Sequence, residues 1–144
     1  MNCHFHIRTM LISDYEAIYS LWAGTSGMGL RAVDDSRKGI EVFLQRNPGT
    51  CFVAEREGRL VGAILSGHDG RRGYLYHLAV KEQERGQGIG SALLEAALEA
   101  LAGQGIQKAS LVVFSENSLG NRFWEKNGFS VRDDLLYRDR VIKR

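Results

Sequence analysis

The stretch from residue 78 to residue 101 constrains the fold more than any other part of the chain. Leu78-Ala79-Val80 is apolar, Arg85-Gly86-Gln87-Gly88-Ile89-Gly90-Ser91 is glycine-rich, and Ile89, Leu93, Leu94, Ala97, Leu98 and Leu101 recur at helical spacing. A buried strand therefore runs through a glycine turn directly into an amphipathic helix. Such a turn aims several backbone N–H groups at one spot, and the helix adds its orphan amides and positive dipole end. The arrangement is a seat for a pyrophosphate, and glycines are needed there because side chains would hold the phosphate away.

The flanking segments supply the rest of an α/β domain. Residues 5–10 alternate as a short strand, and Ser13-Asp14-Tyr15-Glu16 matches a capping box for a helix carrying Ile18, Leu21 and Trp22. The glycine-rich residues 24–33 read as a flexible connector. A second helix starts near Asp34-Asp35-Ser36, turns Ile40, Phe43 and Leu44 inward, and stops at Asn47-Pro48-Gly49. Residues 51–55, 60–66 and 74–80 form a meander with turns at 57–59 and 67–73. After the long helix, which ends at Gly103 or Gly105, residues 109–114 read as a strand. A short helix follows up to Gly128, then a hairpin of 129–131 and 135–142. This order implies one domain, 1–144, with a mixed, mostly antiparallel sheet flanked by helices on both faces.

Composition removes several classes of function. A 144-residue chain is long enough to bury roughly 68% of its unfolded surface. The net charge of +2, from 19 basic and 17 acidic residues, leaves no basic stripe for nucleic acid; Arg71-Arg72 and Lys143-Arg144 read as solvated charge. Cys3 and Cys51 cannot make a disulfide framework, and Cys51 opens an apolar stretch as a small buried residue. His4, His6, His68 and His77 lack ligand spacing for a metal, so none is expected. Without an apolar leader or membrane span, the expected compartment is the cytoplasm.

Three phosphate loops compete for the glycine segment. A Walker loop requires Gly-Lys-Ser/Thr, whereas Gly90-Ser91 has no lysine. A dinucleotide fingerprint starting at Gly86 would need its last glycine one position beyond Gly90. The third option fits: Arg85-x-x-Gly88-x-Gly90 after Leu78-Ala79-Val80 resembles the coenzyme A signature of the GNAT superfamily of N-acyltransferases. Asn117, followed by Phe123-Trp124-Glu125-Lys126-Asn127-Gly128-Phe129, is similar to the family's second signature. Both motifs in this order, with the matching element order, extend the resemblance over essentially the whole chain.

The resemblance implies acetyl-CoA as co-substrate and transfer of its acetyl group to a primary amine through a direct ternary complex. The backbone of Leu78, Ala79 and Val80 would pair with the pantetheine arm, and the amides of Arg85, Gly86, Gln87, Gly88, Ile89, Gly90 and Ser91 would hold the pyrophosphate. Asn117 and Phe123 would contact the far side of the pantetheine. The acid that family members place four residues before Gly-Phe is a tyrosine, but here it is Trp124, whose indole N–H releases no proton near neutral pH. Family members also carry catalytic groups on the strand before the loop, at positions occupied here by Tyr74 and Tyr76, and Tyr137 is a third phenol. The alternative for each tyrosine is a packed ring with its hydroxyl at the rim. Strand alternation puts Tyr74 and Tyr76 on one face and His77 on the other, where a core or supporting role is expected. Asp69 and Arg72, in the turn 67–73, are candidates for binding the acceptor, a small-molecule or peptide amine. No nucleic-acid or membrane partner is implied, and a homodimer is compatible with the resemblance. The Trp124 departure keeps a second reading open, a non-catalytic acyl-CoA-binding sensor.

Overall fold

A computed structural model describes residues 4–142, so Cys3 and Lys143-Arg144 lie outside the described residues. Two compact units emerge, Met1–Phe114 and Ser115–Arg144. In the first, β1 (His6–Thr9), β2 (Phe52–Arg56), β3 (Arg59–His68), β4 (Gly73–Val80) and β5 (Ala109–Ser110) form a sheet in chain order. The first three pairings are antiparallel, and β4–β5 is parallel. Glu57 and Gly58, with φ of 53° and 75°, make the tight turn between β2 and β3. Positive φ at both central positions matches the right-handed twist of a hairpin.

Helices cover both faces. Helices α1 (Tyr15–Ala23) and α3 (Arg37–Arg46) bury Ile18, Leu21, Trp22 and Ile40 in one cluster with Val53, Ala63, Leu65 and Ala79. Helix α4 (Ile89–Gly103) buries Ile89, Leu93, Leu94, Ala97 and Leu101. Its approach to the other face depends on two glycines. A Cβ at Gly62 would lie 3.0 Å from Leu93 Cδ1, and one at Gly73 would lie 2.8 Å from Leu101 Cδ1. Gly105 (φ 85°) ends α4: its N–H and that of Ile106 donate to Ala102 and Leu101. This is a Schellman stop, and buried Ile106 supplies its apolar contact.

Three expectations are corrected. The capping box at Ser13 does not form; a 3-10 turn, Ile12–Asp14, precedes α1, and Asp14 Oδ2 accepts the Leu11 N–H at 2.9 Å. Asp14 also takes Arg8 in a two-pronged pair at 2.9 and 2.8 Å, and Arg8 reaches Glu55 at 2.9 Å, tying the start of α1 to the sheet. Burial opposes ionisation of Asp14, but the Arg8 hydrogen bonds, the Leu11 N–H and the Arg8 charge together outweigh it and hold the carboxyl below its usual range. The second long helix does start at Asp34-Asp35-Ser36, where Ser36 caps α3 by accepting the Gly39 N–H at 3.1 Å; the acidic pair itself closes a short preceding helix, α2 (Ala32–Asp35).

The expected strand 109–114 keeps ladder pairing only at Ala109 and Ser110, opposite Gly73 and Tyr74. The hairpin of 129–131 and 135–142 is absent. Among the described residues of the second unit only α5 (Ser118–Lys126) is regular, and Leu135, Leu136, Tyr137, Val141 and Ile142 are exposed. Alternation favours a strand only where a partner offers free ladder groups.

Gly39 gives a sharp test of how α2 is seated. It lies in the first turn of α3, where a Cβ would sit 2.5 Å from the Asp34 carbonyl oxygen. Alanine normally stabilises a helix by ~1 kcal/mol relative to glycine. Here Gly39→Ala is expected to destabilise by about 1–3 kcal/mol, because backbone must move. A chemical denaturation midpoint at or above that of the parent would refute the assigned packing.

Candidate functional site

The glycine loop has the geometry of an anion seat. Gly86 and Gly88 have φ of 80° and 86°, conformations that glycine adopts without strain. Gly88 is the N-cap of α4, with no side-chain cap and no acidic residue in the first turn. The first helical bond runs from the Ala92 N–H to the Gly88 carbonyl. The N–H groups of residues 86–91 therefore have no acceptor among the described residues. Arg85 differs, since its N–H donates to the Glu82 carbonyl at 3.2 Å and its Nε to the Val80 carbonyl at 3.3 Å. Its side chain braces the turn where strand becomes loop.

The loop is anchored from below by Arg56, which sequence reasoning did not single out. Arg56 Nε donates to Glu84 Oε1 at 2.8 Å, and its Nη2 to Gln87 Oε1. Both partners of the Arg56–Glu84 pair are largely buried. The Gln87 side chain is thus committed to holding the turn. An open cleft of about 910 Å³ flanks the loop's approach, between Ser20, Gly24 and Thr25 on one side and residues 81–84 on the other.

Strand β4 leads into the loop with one open edge. Its pairing with β5 ends at Tyr74–Ser110, so residues 75–80 are laddered only to β3. Leu78, Ala79 and Val80 therefore present backbone groups on a free edge, which an extended chain could extend as another strand. Tyr74 and Tyr76 share a face, with ring centroids 4.7 Å apart, and Tyr76 packs edge-on against Phe43 at 5.8 Å.

His77 departs from the expected alternation. Leu65 pairs with Tyr76 and Ala63 with Ala79, so two residues, His77 and Leu78, stand opposite Ile64. His77 has φ 50° within this bulge. The extra residue breaks the period of two and turns His77 toward α1 and α2, while Tyr76 meets α3. Its ring meets Trp22 edge-on at 4.9 Å, and its Nε2 lies 2.9 Å from Asp35 Oδ1. Asp35 is only 7% exposed and also accepts the Arg31 N–H at 2.7 Å. Burial pushes its carboxyl up, but the hydrogen bonds from His77 and Arg31 prevail and hold it below its usual range. Tyr15 closes the cluster, its hydroxyl donating to the Asp35 carbonyl at 2.7 Å.

The remaining candidates are placed as follows. Asp69 Oδ1 accepts the N–H groups of Arg71 and Arg72, both at 2.9 Å, so it holds its own turn together. Those two hydrogen bonds, Arg72 first, keep its carboxyl below the usual range. Arg72 is exposed on that turn. Within the second unit, Asn117 caps α5 by accepting the Gly120 N–H at 2.9 Å. Trp124 is clamped between Phe123 and Phe129, with centroids 5.1 and 5.2 Å away. The Gly128 and Phe129 N–H groups donate to Glu125 and Trp124, and Gly128 has φ 90°. The Gly-Phe pair is therefore a Schellman stop, with Trp124 and Phe129 as its apolar contact. Tyr137, in the same unit, is 68% exposed. Burial pushes the Cys51 thiol up to about 11. Among the described residues, no cluster of His, Cys, Asp and Glu could hold a metal, and no helix is long and apolar enough to cross a membrane.

The open β4 edge running into a glycine turn of unpaired N–H groups is the arrangement that the resemblance to acyl-CoA-dependent acyltransferases implies for residues 78–91. The chain belongs to the GNAT acetyltransferase family, whose profile matches residues 15–129. An acetyltransferase of Sodalis glossinidius is 34% identical over 130 residues, covering 90% of each chain. Among solved structures, Ard1 from Thermoplasma volcanium is similar at TM-score 0.76 and 25% identity, covering 86% of this chain and 81% of its own. The PaiA N-acetyltransferase of Thermoplasma acidophilum, solved with coenzyme A, shares the fold at TM-score 0.78 and 24% identity, covering 90% of this chain and 92% of its own. The protein is an N-acetyltransferase.

Proposed function

We propose that the protein transfers the acetyl group of acetyl-CoA to a primary amine by direct attack within a ternary complex. The observation that carries this reading is the set of unpaired N–H groups at residues 86–91, at the end of the open β4 edge. The amides and the α4 dipole hold the pyrophosphate. The edge of Leu78, Ala79 and Val80 lines up the pantetheine arm and steadies the developing oxyanion. Tyr76 is the acid that protonates the leaving thiolate, with Tyr74 packed against it; Tyr137 is the alternative phenol. Asp69 and Arg72 stay as candidates for acceptor recognition, Arg72 with the more available side chain. The relative solved with coenzyme A supports the choice of co-substrate. The buried free thiol of Cys51 suits a reducing cytoplasm.

The test is a screen of amine acceptors with acetyl-CoA, reading free thiol. The panel includes peptide α-amines, lysine, polyamines and aminoglycosides. Release above background with at least one class is the expected result. Binding of acetyl-CoA without thiol release from any acceptor would favour the acyl-CoA sensor. Stronger stabilisation by ATP or NAD than by acetyl-CoA would overturn the reading.

A further inference from the structure

We propose that His77 is the base that takes the proton from the acceptor ammonium, with Asp35 as its positioning residue. The inference deepens the acetyl-transfer reading and rests on it. The site stands on geometry that strand alternation does not produce. A non-glycine residue held at φ 50° in a bulge is costly and persists only where its surroundings enforce it. What enforces it here is the Asp35 carboxylate at 2.9 Å, the Arg31 N–H and Tyr15 hydroxyl that fix α2, and the Trp22 ring. Trp22 itself is 1% exposed, and its indole N–H has no hydrogen-bond partner.

The pairing decides which ring nitrogen is available. An ionised carboxylate only accepts, so the His77 nitrogen facing Asp35, Nε2, carries the proton. In the neutral ring Nδ1 is then the bare nitrogen, and no hydrogen bond to it is found among the described residues. His68 offers a contrast: its Nδ1 accepts the Gly70 N–H, and its Nε2 meets Gln104. The ionisable groups around His77 are Asp35 from α2, Tyr15 from α1 and Tyr76 beside it on β4.

The step balances as follows. One N–H proton of the acceptor ammonium passes to His77 Nδ1, freeing the amine lone pair. The new N–C bond forms at the thioester carbonyl carbon, and the C–S bond breaks with its electron pair on sulfur. The acylated nitrogen then loses its second N–H proton to solvent and becomes the neutral amide. Tyr76 protonates the sulfur and is reprotonated from solvent, to which the imidazolium returns its proton, so the net release is one proton. The bulge makes this division of labour possible, because it brings consecutive residues to one side of the sheet.

The test compares His77→Asn and Asp35→Asn with the parent, using the best acceptor from the amine screen between pH 7 and 9.5. Asparagine tolerates left-handed φ, so His77→Asn keeps the bulge; His77→Gln is the second variant if its melting temperature drops. At pH 7, His77→Asn should lower turnover by about a hundredfold or more, with acetyl-CoA affinity within threefold. The deficit should shrink steadily as the pH approaches the amine's own pKa, where no base is needed. Asp35→Asn should lose about tenfold or more, because an amide no longer fixes the tautomer. Turnover of His77→Asn within threefold of the parent, or a deficit that stays constant with pH, would overturn the assignment alone. A parent that binds acetyl-CoA yet turns over no amine would overturn the transferase reading, and this assignment with it.

Discussion

Gly88→Glu is expected to abolish the thermal stabilisation that acetyl-CoA gives the parent protein. At a hundredfold excess over its dissociation constant, a ligand that binds only the native state stabilises by about 2.7 kcal/mol. For a domain of this size that corresponds to a rise in melting temperature of about 5–10 °C. Glutamate at position 88 places a carboxylate and a Cβ where the loop's amides converge. A Cβ there meets no atom of the protein within 4 Å. The variant therefore suffers only the strain of an L-residue at φ 86°, on the order of 1–2 kcal/mol. Gly88→Asn is the control, since asparagine accepts this conformation and adds no charge. It should stay folded and keep part of the ligand-induced rise. A folded Gly88→Glu protein with the parent's full rise would remove the glycine loop from the cofactor site.

The second large effect is expected at Tyr76, where replacement by Phe should lower turnover at least tenfold. Phenylalanine preserves the ring contacts with Phe43 and Tyr74, so packing is held constant and only the hydroxyl is removed. An ordinary phenol titrates near ~10, so it is protonated at neutral pH and can supply a proton without special tuning. General acid catalysis contributes about 10²–10⁴-fold, and its loss appears in kcat with cofactor affinity nearly unchanged. Tyr76 is 40% exposed on the face shared with Tyr74, next to the open edge. Tyr137→Phe, assayed in parallel, separates the two phenols. If both variants turn over like the parent, neither phenol is the acid. A Tyr76→Phe protein that instead loses acetyl-CoA affinity more than tenfold would make this a binding residue.

The readable parts of the site are those written in consecutive residues. The glycines at 86 and 88 were legible because left-handed backbone has few other occupants. Helix α4 was legible because its buried residues repeat at the helical period. The Schellman stop at Gly128-Phe129 is equally local, which explains why part of the second signature serves helix termination. Trp124 was legible as a departure from the family but not as a packing residue; its place between Phe123 and Phe129 supplies the reason.

What alternation could not reveal was the bulge at His77. A period of two assigns faces correctly only while the ladder is unbroken, and one extra residue reverses every face beyond it. Asp35 was not singled out for a related reason. In sequence it is one of two acids near a helix start, where a solvated carboxylate is the ordinary expectation. Its burial depends on His77, which lies 42 positions away. The shortened β5 and the absent C-terminal hairpin have the same origin, since a strand requires a partner that no local pattern specifies.

The sequence by itself therefore determined the α/β architecture and the glycine turn, because these follow from backbone preferences and side-chain periods within a single element, and the family through the resemblance of its two motifs. The tertiary structure alone decided which face His77 takes, that Asp35 and Trp22 enclose it, and that Arg56 braces the loop through Glu84 and Gln87. Each of those contacts joins residues distant in the chain, and their energies exist only once the sheet has brought the elements together.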